Sequence, residues 1–207
     1  FHATLGFNIE PATLNAIKKY KDLLTTLSKT RIKGEFDKIL LSANAVKAMD
    51  YMKKLGILKI LNINYKRIIK VDDLCGMYAQ LDLTEDFPFT KKEQSNIKTI
   101  QKILKYGKID NTVIYEHGLY FAMITGLIKG KKRAAIVKQE KNIPIHNRKE
   151  INITFDTLVD LGIPKNKINA VYTILENLIL KNKIKNDKNH LTHYVLKNKK
   201  VWCPCKT

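Results

Sequence analysis

Leu27-Ser28-Lys29-Thr30-Arg31-Ile32-Lys33-Gly34-Glu35-Phe36-Asp37-Lys38-Ile39-Leu40 is the stretch on which the reading of this chain turns. Ser28 is a good N-cap, because its hydroxyl can accept from a backbone N–H that the first helical turn leaves unpaired. Ile32, Phe36, Ile39 and Leu40 then fall at i, i+4, i+7 and i+8, the spacing of one helix face.

Helical spacing continues on both sides. Upstream, Glu10-Pro11 opens a helix whose apolar side carries Leu14, Ile17 and Leu24, with proline suited to the first turn. Downstream, Ser42 or Asn44 caps a helix burying Val46, Met49, Met52 and Leu55, and Gly56 stops it. The stretch from Ile57 to Val71 has room for another short helix. Asp72-Asp73 can cap a helix through Leu74, Met77, Tyr78 and Leu81. Thr84 to Phe89 reads as a loop around Pro88. Lys91 to Tyr106 is helical again, and Thr112 to Ile128 is the most hydrophobic helix, expected in a core. Asn142-Ile143-Pro144-Ile145 interrupts the pattern. Beyond it come a short helix from Phe155 to Leu161, a stop at Gly162, and a long amphipathic helix to Leu180. His190 to Leu196 fits a helix or a strand. The fold class expected is all-α, a multi-helix array, and no internal repeat is visible.

The chain has 207 residues, enough for one large or two small helical domains. Its hydrophobic fraction of 44% argues against disorder. No apolar run reaches the ~20 residues that span a bilayer, and no basic region leads into an apolar stretch near Phe1. The chain does not open on Met and is expected to be part of a longer protein. Cys75, Cys203 and Cys205 make neither a disulfide framework nor a zinc pattern, which leaves the cytoplasm as the default compartment. There are 38 Lys+Arg against 19 Asp+Glu, a formal net charge of +19. This favours a polyanionic partner, nucleic acid before membrane. Arginine occurs at 31, 67, 133 and 148, and every other base is lysine. AT-rich coding would inflate lysine without any ligand, so the charge says nothing about sequence reading.

The motifs of an active site are missing. There is no phosphate-cradling glycine loop and no nucleophile elbow. Asp72-Asp73 reads as a cap rather than a metal-binding pair, and the acidic group Asp82 to Asp86 as a solvated loop. His190 and His193 could share a helix face, but two ligands make weak evidence for a metal. No catalytic or metal-ligating residue is assigned. Thr154 to Leu180 could form a helix-turn-helix, although a plain helical hairpin needs the same pattern.

Phe1-His2-Ala3-Thr4-Leu5-Gly6-Phe7, followed by Thr13-Leu14-Asn15-Ala16-Ile17, resembles the R-F-A-x-x-L-G-F and T-x-x-A-I motifs of bacterial CCA-adding tRNA nucleotidyltransferases and related poly(A) polymerases. Leu27 to Leu40 resembles that family's I-S-x-E-R-I-x-x-E-L-x-K-L-L, with Thr30 where the family usually has Glu. Ala48 to Leu58 resembles its A-x-x-x-L-x-x-x-G-L-L. Ile143-Pro144-Ile145, and the segment from Gly162 to Asn186, resemble its tail.

The resemblance implies a neck-like region over 1–62, a helical body over 63–142 and a tail over 143–207. The catalytic head, which would hold magnesium and use CTP and ATP, is expected upstream of Phe1, so this chain alone is expected to be inactive. It would bind tRNA, holding the acceptor arm and elbow. Arg31 and Glu35 match a motif that braces the nucleotide-selecting template, and they could pair across one helical turn. The expected RNA contacts are Lys129, Lys131, Lys132, Arg133, Lys165, Lys167, Lys181 and Lys183. The alternatives are a helix-turn-helix DNA-binding protein and a basic helical scaffold. Oligomeric state is left open.

Overall fold

The structure is a computed structural model and describes residues 2–84 and 86–202. Among the described residues all regular structure is helical, apart from one isolated antiparallel bridge between Asn64 and Asp82. The chain forms two compact units, one of residues 1–107 and 124–131, the other of 108–123 and 132–207.

In the first unit run α1 (His2–Leu5), α2 (Pro11–Tyr20), α3 (Lys29–Leu41), α4 (Ala45–Lys54), α5 (Ile57–Ile60), α6 (Leu74–Tyr78) and α7 (Lys91–Lys105). A 3-10 turn, Lys21–Thr26, separates α2 from α3. Capping follows expectation at three helix starts but not at α4, where Asn44 makes no side-chain capping bond and the Ser42 hydroxyl donates back to the Ile39 carbonyl at 2.7 Å. Glu10 accepts from the Thr13 N–H with Pro11 at the first helical position, Ser28 from Arg31, and Asp73 from Gly76. Thr90 and Glu93 make a reciprocal capping box at α7. Phe36 and Leu40 of α3 are fully enclosed, as are Met49, Met77, Ile100 and Ile103.

Some expectations change. On α4 the enclosed residues are Ala45, Ala48 and Met49, while Val46 and Met52 are half-buried. The apolar side of α2 is not core: Leu14 and Ile17 are half-buried, and no α2 residue is fully buried. At Gly76 a methyl would lie 2.6 Å from Ile124 Cγ2 and 2.9 Å from Val71 Cγ2, so α6 needs a residue without a side chain there.

Chain order continues with α8 (Asn111–Ile128), α9 (Arg133–Lys141), α10 (Phe155–Asp160), α11 (Ile168–Leu180), α12 (Lys188–Lys197) and α13 (Lys199–Trp202). The expected single core helix from Thr112 to Ile128 is corrected. Gly118 sits at φ 81° and ψ 172°, so α8 is two helical pieces joined by a kink. Leu119 and Tyr120 beside the kink are exposed.

In the second unit, α11 buries Ile168, Val171, Leu175 and Ile179, and α12 buries Leu191 and Val195. The segment containing His190 to Leu196 is a helix, started by Asp187, whose carboxylate accepts from the His190 N–H. Cys203 and Cys205 lie outside the described residues.

Candidate nucleic-acid interface

The α3 helix separates its charged side chains by face. Lys33 and Asp37 turn inward. Lys33 Nζ donates to Asp37 at 2.8 Å and to Glu93 of α7 at 3.0 Å, and it lies 5.7 Å from the ring centres of Tyr78 and Phe89. Tyr78 donates to the other Asp37 oxygen at 2.5 Å. Burial pulls the Lys33 ammonium down, and the two carboxylates outweigh it, leaving its pKa raised. This knot fixes α3 against α7.

Arg31 and Glu35 project from the exposed side of the same helix. The two, which could pair across one turn, do not: Glu35 pairs instead with Lys38 at 2.8 Å, both side chains being about two-thirds exposed. Lys38, and to a smaller degree Arg31, holds the Glu35 carboxyl below its ordinary range. Arg31 and Glu35 line an apolar crevice of about 170 Å³ with Leu24, Leu27, Phe36 and Met52.

The expected RNA-contacting residues follow helix ends. Gly130, at φ 81°, closes α8, and the Lys131 N–H returns to the Gly126 carbonyl at 2.8 Å. Lys129 donates to the Gly107 carbonyl. Lys132 is the N-cap residue of α9 and Arg133 its first helical residue, both exposed. In the second unit, Lys165 and Lys167 lie on an exposed 3-10 turn that leads into α11. Lys181 and Lys183 lie just past the end of α11, where Asn182 takes φ 53° and the Lys183 N–H returns to Leu178 at 2.8 Å. The four lysines of this unit all face solvent. Position at a helix C-terminus also suits lysine on dipole grounds, independent of any ligand.

Two arrangements were not foreseen. Arg148 donates to both oxygens of Glu176, at 2.9 and 2.6 Å, and Tyr115 donates to the same carboxylate at 2.6 Å. One of the four arginines is thus committed to internal structure. The other is an open groove of about 510 Å³ along α12, lined by Ile184, Asn189, His190, His193, Tyr194 and Lys197. The signal for it was in the sequence: His190, His193, Tyr194 and Lys197 are spaced i, i+3, i+4 and i+7.

Among the described residues no three His, Cys, Asp or Glu side chains group as a metal site. The magnesium implied by the resemblance therefore has no carboxylate or imidazole cluster to hold it among these residues. No helix among the described residues is long and apolar enough to cross a membrane.

Comparison with known proteins bears on this arrangement. A family model described as "Probable RNA and SrmB- binding site of polymerase A" matches residues 6–65. The CCA-adding enzyme of Bacillus cereus (strain ATCC 10987 / NRS 248) is 25% identical over 197 residues, covering 80% of this chain and 50% of that protein. The CCA-adding enzyme of Lactococcus lactis subsp. lactis (strain IL1403) is 26% identical over 224 residues, covering 91% and 54%. The chain spans about half the length of the curated relatives it matches. Among solved structures, the Bacillus stearothermophilus CCA-adding enzyme in complex with CTP superposes with a TM-score of 0.65 at 15% identity, over 97% of this chain and 60% of that one. That identity speaks for the fold alone. Family model, relatives and helical fold point the same way: this chain is similar to the carboxy-terminal, helical portion of CCA-adding enzymes and poly(A) polymerases.

Proposed function

We propose that this chain is the tRNA-holding part of a CCA-adding nucleotidyltransferase, acting in the cytoplasm. Residues 1–62 would serve as neck, 63–142 as body and 143–207 as tail. The acceptor arm and elbow of tRNA would lie on the body and tail while a separate head adds nucleotides to the 3′ end. Magnesium and CTP or ATP belong to that head in this reading, and no residue described here takes part in the transfer. Arg31 and Glu35, on the exposed face of α3, would brace the template through their placement, since they do not pair with each other.

The observation that carries the proposal is the set of CCA-adding relatives matching nearly the whole chain. It is supported by the solvent-facing lysines of the second unit, at 165, 167, 181 and 183. Lysine ammonium groups attract backbone phosphates as point charges and release condensed counterions, giving affinity without base reading. A-form duplex is recognised by shape and backbone in the same way.

Charge reversal tests the lysines. In the variant with Lys165→Glu, Lys167→Glu, Lys181→Glu and Lys183→Glu, tRNA affinity measured by fluorescence anisotropy falls by at least about tenfold, and the salt dependence becomes shallower. Unchanged affinity and slope would show that these lysines are only solvated surface.

A further inference from the structure

The groove on α12 has a composition that phosphate attraction alone does not need. Its lining combines the aromatic ring of Tyr194 and the apolar side chain of Ile184 with Asn189, His190, His193 and Lys197. The helix that presents them is well anchored. Leu191 and Val195 hold its opposite face in the core, and Asp187 caps its start. The turn before it is fixed by Asn186, whose side chain donates to the Glu150 carbonyl at 2.7 Å and accepts from the Asn152 N–H at 2.9 Å.

Charge is arranged to suit an anion. Residues 181–200 contain lysine at 181, 183, 185, 188, 197, 199 and 200 and a single acid, Asp187. That acid is already engaged: it accepts from the His190 backbone N–H at 3.0 Å and lies 2.6 Å from His190 Nδ1. The segment thus sets seven lysines against one carboxylate. His193 and Lys197 are exposed, and Tyr194 is half-buried.

An aromatic ring and imidazole rings lining one groove together with a lysine match one ligand chemistry closely. A nucleobase offers a face for stacking, and its flanking phosphates meet the cations. A base within a duplex has no free face, so an unpaired base is needed. We infer that the α12 groove receives an unpaired nucleotide of an RNA strand, its base stacked on Tyr194 and His193 and its phosphates met by Lys197. The inference rests on the proposed RNA-holding function and adds a loop-specific contact to it.

The test uses the whole 207-residue chain. Binding is measured to an RNA hairpin with an unpaired loop, to a blunt RNA duplex of equal length, and to polyglutamate. The wild-type chain binds the hairpin more tightly than the duplex, and polyglutamate weakly. Tyr194→Leu, which keeps apolar volume but removes the stacking face, lowers hairpin affinity by about tenfold and leaves duplex affinity unchanged. Tyr194→Phe retains wild-type affinity. His193→Ala, an exposed site, lowers hairpin affinity in the same selective way, so the result does not depend on a variant that perturbs folding. Equal hairpin binding by Tyr194→Leu, His193→Ala and wild type overturns the groove assignment while leaving RNA holding intact. Polyglutamate binding as tight as the hairpin also overturns it, since charge alone would then suffice. Failure of the wild type to bind any RNA overturns both readings.

Discussion

Glu176 is a carboxylate with 11% of its side chain exposed, held by two Arg148 donors and the Tyr115 hydroxyl. The Arg148 hydrogen bonds are the largest influence on its pKa. They outweigh burial and, with Tyr115, hold the carboxyl below its ordinary 4.5. Burial first, and Glu176 second, push the Tyr115 phenol up to about 12. Each shift has a sign for stability. The depressed carboxyl contributes stability that is present above its unfolded pKa and lost as pH falls through its folded value. The raised phenol contributes stability that is present below its unfolded value of 10 and lost as pH rises toward about 12. Glu176→Ala removes the acceptor for both partners and should cost about 2 kcal/mol, the partial exposure of Arg148 keeping the loss below that of a fully buried pair. Urea melts at pH 7 check the loss. Melts at pH 3 should find the variant and the wild type closer together, and an equal gap at both pH values would contradict the assignment. At the same scale, the sequence motif placed Arg31 and Glu35 correctly on one face, but not their pairing. An i,i+4 spacing says which groups can meet; the nearer Lys38, at i+3 from Glu35, takes the carboxylate.

Helices were legible where two signals coincided. Ser28 with the Ile32, Phe36 and Leu40 stripe gave α3, and Asp73 gave the start of α6, because a capping side chain and an apolar period point to the same boundary. The α9 helix was not anticipated. Ile136 is the one buried residue along α9, so hardly any period exists to detect. The α8 kink was hidden for the opposite reason: apolar residues occur nearly all round the helix, and a break changes no pattern. Gly118 takes an extended backbone at positive φ, a region open essentially to glycine. Gly118→Ala meets no neighbouring atom within 4 Å, so its cost is conformational. A loss of about 1–3 kcal/mol in thermal or urea melts is expected; a neutral or stabilising substitution would contradict the kink. The α12 groove was half legible. The spacing of His190 and His193 was visible, but its meaning depends on Tyr194, Lys197 and Ile184 meeting at one surface.

For the whole molecule, the all-helical class followed from the period of the apolar residues, and the family resemblance from short motifs near both ends. The charge of +19 was the weakest guide, because it cannot separate a phosphate-binding surface from lysine-rich coding. The fold brought unforeseen structure in the middle of the chain: the aromatic group Tyr78, Phe87 and Phe89, with Lys33 over the rings of Tyr78 and Phe89. Nothing in its spacing announces it, since residues 33 and 89 meet only after folding. The central claim concerns what the basic surface holds. It is tested by anisotropy titration of the chain against labelled tRNA and against duplex DNA of similar length, over a salt series. The account predicts tighter binding to tRNA at every salt concentration. It also predicts a linear fall of log affinity with log salt, amounting to about a thousandfold between roughly 50 and 200 mM if about six phosphates are neutralised. Equal affinity for the DNA, or no binding to tRNA at low salt, would contradict it.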